Sequence, residues 1–354
     1  MNTDLIYRCK ENNISGYKKI IDKTYEILNK NYNLIVLTVD SQKHKDFVNK
    51  NFLNKKNFNS PEFFISPLEL NKENSWDYVL PDKNNITCLT MWESTLLPRV
   101  SIKELNNNTD KVLVPSKWNK ECFEQCGVKN VNLLNLFVDD NIFNYKPKTN
   151  LRKFTFFAGA TLNDFSISNN RKNINLVIDC FLKVFNNIND VELIIKSTST
   201  SNLGVPNYLS DNIRIISKNI SSVDLANLYA ESDVFVSSSK SEGWGFFQIE
   251  SLAVGRPVIT IDYGGVKEFC NKNNSFFIDY EEELASGYWA KSGGLWAKLN
   301  FDSLCEQMYF CYKNKDILRN NWLNYSKSVL PQFSLKNYEQ NLLKYLWCNK
   351  YNLI

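Results

Sequence analysis

The chain has 354 residues, 43% hydrophobic and 23% charged, too long for one ordinary core and too apolar for a disordered chain, so two domains are expected. Its 42 basic and 38 acidic residues leave a net charge of +4, which disfavours nucleic acid as a partner. No apolar run reaches the roughly 18 residues of a membrane span, and the start "MNTDLIYRCKENN" lacks the basic-then-apolar order of a signal peptide, so the expected location is cytoplasmic.

Short apolar runs punctuate the chain and read as buried parallel strands: "LIVLTV" at 34–39, "KVLVP" at 111–115, "FTFFAG" at 154–159, "VELIIK" at 191–196, "NIRII" at 212–216, "DVFVS" at 233–237 and "PVITI" at 257–261. His44, the one histidine, follows the first run in a charged stretch and is assigned to the surface. Cys122 and Cys126 share a helix face at i, i+4 spacing, but no third or fourth ligand lies near them in sequence, so the nine cysteines read as plain thiols and no metal site is expected. "YKPKTNLRK" at 145–153, charged and aperiodic, is the expected linker.

Between the strands lie segments of helical period. In "RKNINLVIDCFLKVF" the side chains of Ile174, Val177, Ile178, Phe181 and Leu182 share a face, and "SVDLANLYAES" opens near Ser222 or Asp224. Alternating strands and helices argue an α/β fold of two Rossmann-like, doubly wound domains facing a cleft. The expected boundaries are 1–148 for a first domain, 149–333 for a second, and 334–354 for a C-terminal helix that packs back toward the first, its stripe being Tyr338, Leu342, Leu343 and Leu346.

The densest signal is "SEGWGFFQIESLAVGRPVITIDYGG" at 241–265. A strand leads into the "SEGWG" loop, and the helix "FFQIESLAV" follows until Gly255 and Pro257 stop it. Such a turn presents backbone N–H groups and the positive end of a helix dipole, and Gly243 and Gly245 let an anion come close to the backbone. Glu250 then lies about one turn into the helix, where a carboxylate can accept hydrogen bonds from ribose hydroxyls.

Glu242 and Glu250 are separated by seven residues. With its flanking strand and helix the stretch resembles the E-x7-E signature of retaining glycosyltransferases of family 4, which have the GT-B fold. "FFAG", "NNRKNINLVIDCFLKVF", "VELIIKS", "ISSVDLANLYAESDVFVSSS" and "GGVKEF" occur in the family's order, and the resemblance covers most of 154–346. A thinner similarity runs through "SGYKK" at 15–19, "MWES" at 91–94, "DKVLVPSKWNKECFEQCGV" at 110–128 and "GLWAKLNFDSLCEQM" at 294–308.

The resemblance implies that Lys172, Arg171 and Lys196 meet a diphosphate, that backbone groups near Asn219 and Ile220 touch the base, and that Glu250 holds the ribose. It also implies that Glu242, with the loop Gly243, Trp244, Gly245, Phe246 and Phe247, faces the donor sugar. By the same resemblance Glu242 and Lys172 are expected to carry the catalytic roles, and Gly16, Tyr17 and Glu93 to form the acceptor side. Three positions depart from the pattern: Ala160 stands where many relatives carry an arginine, and Phe247 and Gln248 where a proline and an aliphatic residue are more usual.

The implied activity is metal-independent transfer of a hexose, with retention, from a UDP- or GDP-linked sugar to a hydroxyl acceptor on a glycan, lipid or protein-linked sugar. No further cofactor is expected. Two alternatives stay open: a GT-B transferase acting on a modified nucleic-acid base, and a sugar-nucleotide or glycan-binding module without turnover. Peripheral membrane contact also stays open, although no strongly basic amphipathic helix stands out.

Overall fold

The structure, a computed structural model, describes residues 4–10, 15–39, 61–65, 85–160, 171–197 and 210–347. His44 lies outside the described residues. The chain divides into two compact units, one formed by Met1–Leu136, Lys291–Gly294 and Tyr338–Ile354, the other by Phe137–Ala290 and Leu295–Asn337.

The first unit holds β1 (Asp4–Lys10), α1 (Ser15–Asn31), β2 (Asn33–Val39), β3 (Glu62–Ile65), β4 (Ile86–Leu89), α2 (Arg99–Asn108), β5 (Lys111–Val114), α3 (Lys117–Gln125) and β6 (Val131–Leu133). Its six strands pair in parallel in the order β2-β1-β3-β4-β5-β6. Order reverses between β1 and β3, and the carboxyl ends of strands beside such a switch are where open α/β sheets bind ligands. Apolar residues of β1, β3, β4 and β5 make the core, and a buried Arg8–Glu62 ion pair at 2.9 Å joins β1 to β3.

The second unit runs β7 (Phe154–Ala160), α4 (Ile174–Phe185), β8 (Val191–Ser197), β9 (Ile213–Ile216), α5 (Ser222–Glu231), β10 (Val234–Val236), α6 (Phe246–Val254), β11 (Val258–Thr260) and β12 (Ser275–Phe277). A hairpin of β13 (Tyr280–Leu284) and β14 (Leu295–Leu299) follows, then α7 (Phe301–Lys313), α8 (Lys315–Phe333) and α9 (Leu335–Trp347), the last grouping with the first unit from Tyr338 onward. The six-stranded sheet is wholly parallel, ordered β12-β11-β10-β7-β8-β9, which is the doubly wound pattern with its switch between β7 and β10.

The helical periods recover real faces. Ile174, Val177, Ile178 and Phe181 of α4 are buried, and Phe156 of β7 meets Phe181 and Phe185 at centroid distances of 6.4 and 5.4 Å. The cap of α5 is Ser221, one residue before the expected start, whose hydroxyl accepts from the Asp224 N–H at 3.0 Å. Gly255, at φ +97°, closes α6 as expected.

The stretch Phe137–Lys148, given by sequence to the first domain, groups with the second unit. The Val138 N–H donates to Phe333 O at 2.7 Å, and the Arg256 guanidinium donates to Lys146 O at 2.8 Å. Lys148, inside the expected linker, is buried and paired with Asp233 at 2.6 Å. A charged aperiodic segment is thus held by burying its charge against partners distant in sequence, which composition does not reveal.

Candidate active site

The candidate site of the second unit grows from the two strands at the switch point. β7 feeds the segment that ends in Arg171 and Lys172, just before α4; β10 feeds the loop Ser237–Gly245, just before α6. Hydrogen bonds stitch the two segments together: the Lys240 N–H donates to Arg171 O at 2.8 Å, and the Ser238 hydroxyl to Lys172 O at 2.9 Å.

Glu242 sits where they meet. Its Oε2 accepts from Arg171 Nη1 at 2.9 Å, its Oε1 pairs with Lys172 Nζ, and Arg171 Nη1 also donates to Ser241 O at 2.5 Å. All three side chains are largely out of solvent. Burial alone pushes the Glu242 carboxyl up, but the Lys172 and Arg171 charges, with hydrogen bonds from Lys172 and Ser239, outweigh it and hold the group down to about 2. Glu242 is therefore an anion at neutral pH, facing two cations.

The glycines explain how the loop is seated. Gly245 precedes α6 at φ +104°, a conformation that L side chains rarely adopt. Across from it, the Gly265 N–H donates to Glu242 O at 2.7 Å, and a Cβ on Gly265 would lie 2.0 Å from Gly243 O. The "GG" of "DYGG" is thus the backbone bed under Glu242 and Gly243.

Beyond Gly245, α6 begins, its first intrahelical bond running from Ile249 N–H to Gly245 O at 3.2 Å. Phe247 lies flat on Phe235, with centroids 5.9 Å apart, and a Cβ on Gly159 would meet its ring at 2.6 Å. Gln248 is buried and donates to Ser237 Oγ at 2.8 Å. The two departures at 247 and 248 are therefore accommodated: the ring occupies the space over Gly159, and the amide ties α6 to the end of β10. Phe246 is half-buried against Phe137 at 6.0 Å. Glu250 is buried with Oε2 3.5 Å from the Tyr229 hydroxyl, whose own titration is pushed well up by burial and by the Glu250 charge.

Trp244 is placed differently from its sequence assignment. Its indole is buried between Phe269 and Phe333, at 5.1 and 5.5 Å, so the ring is core. Lys196 is the penultimate residue of β8, beside Gly159 of β7; it is buried, its ammonium donates to Ser197 O, and burial lowers its titration. Ala160, which follows Gly159, is buried. Asn219 is exposed and Ile220 half-buried, between β9 and α5.

Sequence reasoning missed the β13–β14 hairpin. Its turn carries Trp289, whose ring lies against the Arg171 guanidinium at 5.0 Å, and its strands place Glu283 and Trp296 beside Lys240. The "GYW" triplet at 287–289 is the only local signal, and nothing in it points to Arg171.

In the first unit, Gly16 and Tyr17 open α1 after β1, and Glu93 follows β4. The Met91 N–H donates to the Tyr17 hydroxyl at 3.3 Å, and burial followed by the Glu93 charge pushes the Tyr17 phenol up, so Tyr17 and Glu93 share one neighbourhood. Cys122 donates to the carbonyls of Ser94 and Thr95 at 3.3 Å, and Cys126 caps α3. Among the described residues there is no group of three or more His, Cys, Asp or Glu placed to hold a metal, and no helix long and apolar enough to cross a membrane.

Residues 160–288 match the family model described as Glycosyl transferases group 1. A curated protein of Sulfolobus islandicus filamentous virus (isolate Iceland/Hveragerdi), named "Putative glycosyltransferase 41", is 31% identical over 186 residues, which cover 52% of this chain and 49% of that protein. The match thus spans about half the length of that relative. Among solved structures, sucrose-phosphate synthase from Thermosynechococcus elongatus superposes with a TM-score of 0.68 at 13% identity, covering 99% of this chain and 100% of its own. The pneumococcal O-GlcNAc transferase GtfA, solved with UDP and GlcNAc, gives 0.60 at 13% identity over 87% and 60%. The fold is GT-B, as the sequence led us to expect.

Proposed function

We propose that this chain is a retaining glycosyltransferase that moves a hexose from a UDP- or GDP-linked sugar to an acceptor hydroxyl without a metal ion. The observation that carries this reading is the meeting of Arg171, Lys172 and Glu242 across the β7/β10 switch point, in the loop that leads into α6. The match of residues 160–288 to the group 1 model and the pneumococcal relative's complex with UDP and GlcNAc support the same reading.

In this proposal the diphosphate lies against Arg171, Lys172 and the α6 N-terminus, with Lys196 nearby. The bond between the anomeric carbon and the phosphate oxygen breaks, and charge grows on the leaving diphosphate, where fixed cations stabilise the transition state more than the ground state. The acceptor oxygen bonds to the anomeric carbon on the same face, and its proton passes to the leaving phosphate. Glu242 orients the donor sugar and does not attack it. Arg171 takes the place of the arginine that many relatives carry at the position of Ala160. Glu250 holds the ribose, Asn219 and Ile220 flank the base, and Gly16, Tyr17 and Glu93 serve the acceptor.

The test is nucleotide release from a panel of nucleoside diphosphate sugars, in EDTA, with Glu242→Ala and Lys172→Ala beside the wild type. Release from one donor, lost in both variants, supports the reading. Binding of a donor, seen as a raised Tm, with no release in the presence of any acceptor would point instead to a binding module. Absence of binding would overturn the site assignment.

A further inference from the structure

The hairpin β13–β14 reaches the candidate site at two points. At the first, the hairpin holds Lys240 by three contacts: its ammonium pairs with Glu283 Oε1 at 2.5 Å and lies over Trp296 at 5.3 Å, and its carbonyl accepts from the Ala297 N–H at 2.9 Å. The Trp296 indole N–H donates to the same Glu283 oxygen at 3.1 Å. The Lys240 N–H, in turn, donates to Arg171 O, so the hairpin holds the backbone on which Arg171 stands.

At the second point the hairpin touches the Arg171 side chain itself. Trp289 stacks against the guanidinium at 5.0 Å and is itself steadied by Tyr288 and Trp296, at 5.5 and 5.8 Å. A guanidinium is a planar fork with two faces and five N–H donors. The in-plane Nη1 serves Glu242 and Ser241 O, which leaves the faces to be held by stacking, and an indole is the strongest such partner.

We propose that Trp289 is a positioning residue: its ring holds the Arg171 guanidinium in the plane that engages Glu242, and thereby sets the cation that receives the donor diphosphate. The inference rests on the glycosyltransferase reading only for its last step. Without the ring, Arg171 keeps its charge but samples other rotamers, so a diphosphate meets a less organised partner and binds more weakly.

The experiment uses the full chain, with UDP and GDP as probes, and compares wild type, Trp289→Ala, Trp289→Phe, Arg171→Ala and the double variant Arg171→Ala/Trp289→Ala. Calorimetry reads affinity, donor turnover separates KM from kcat, thermal melts confirm folding, and the Arg171 Nε–Hε NMR resonance, assigned with Arg171→Lys, reads the ring contact directly. Trp289→Ala is expected to weaken nucleotide binding about tenfold, Trp289→Phe to recover most of it, and Trp289→Ala to add nothing in the Arg171→Ala background. An equal loss with and without Arg171 would overturn the proposal, as would unchanged affinity in a folded Trp289→Ala. If wild type binds neither nucleotide, the glycosyltransferase reading fails and the resonance alone decides the positioning role. A shift in Trp289→Ala that Trp289→Phe reverses then supports that role, and an unmoved resonance overturns it.

Discussion

Arg171 and Glu242 meet at 2.9 Å, Nη1 to Oε2, while the other Glu242 oxygen takes Lys172. The two cations assigned to a diphosphate therefore already face an anion of the protein's own, and a nucleotide must compete with that carboxylate. Glu242→Gln keeps the shape and a hydrogen-bonding oxygen but removes the charge. UDP or GDP binding, measured by calorimetry, should tighten several-fold, while donor turnover falls by roughly a hundredfold for want of the orienting carboxylate. Weaker binding in the folded variant would mean that Glu242 organises the cations and does not compete for their charge.

The same ion cluster makes a prediction about acid stability. Burial raises the Glu242 carboxyl, yet the two cations win and bring it from 4.5 to about 2. A group depressed in the folded state contributes stability that is fully present above its unfolded value and is lost as pH falls through the folded one. The window is thus about pH 4.5 down to 2, and the contribution at neutral pH is at most roughly 3 kcal/mol. Melting curves of wild type and Glu242→Gln should show a difference that shrinks as the pH is lowered from 5 toward 3, even as other carboxylates destabilise both. A constant difference across that range would remove Glu242 from the acid response.

What the sequence disclosed and what it hid follow from one physical distinction. The strands β7 to β11 of the second unit are legible because runs such as "FTFFAG", "VELIIK" and "PVITI" are mostly apolar, as a parallel sheet under two layers of helices requires. The strands "DLIYRCK" at 4–10 and "EFFI" at 62–65 were passed over; each carries a charge, Arg8 or Glu62, and the two neutralise one another only after the strands pair. The loop around Glu242 could be read because its glycines and flanking elements are local. The Trp289 contact with Arg171 joins residues far apart in the chain, and nothing in either neighbourhood anticipates it. The hairpin strand "YEEEL" reads as a solvated acidic run, yet its Glu283 pairs with Lys240.

Gly265 offers a sharper test of the loop's bed. A methyl group there would stand 2.0 Å from Gly243 O, 2.4 Å from Gly243 C and 2.9 Å from Trp244 N, all backbone atoms with no rotamer to yield. Gly265→Ala should therefore displace the Glu242–Gly243 segment, cost on the order of 1–3 kcal/mol in urea unfolding, and abolish nucleotide binding in the protein that remains folded. A variant that loses stability yet binds UDP or GDP as wild type does would separate this bed from the site.

Asp233 anchors the segment that sequence took for a linker, and its removal should act on stability alone. The carboxylate is fully buried; Oδ2 accepts from Lys148 Nζ at 2.6 Å and from the Thr155 N–H at 2.8 Å, and Oδ1 accepts from Arg319 Nε at 2.8 Å. Burial lowers the Lys148 titration and the Asp233 charge opposes that, so the ammonium depends on this one carboxylate more than on any other group. Asp233→Asn would leave Lys148 and Arg319 facing each other with only the weaker influence of Glu192 on Lys148 to offset them, a loss of roughly 3–5 kcal/mol for a broken buried pair. Lys148→Met should cost less, because Asp233 keeps Arg319 and the Thr155 N–H. None of these groups touches Glu242, Arg171 or Lys172, so nucleotide affinity at a temperature where the variants are folded should match wild type. Urea unfolding at neutral pH gives the order of the two losses. If Lys148→Met proves the more damaging, the carboxylate is not the centre of the cluster, and the lysine's contact with Lys153 O at 2.9 Å is what holds the segment down.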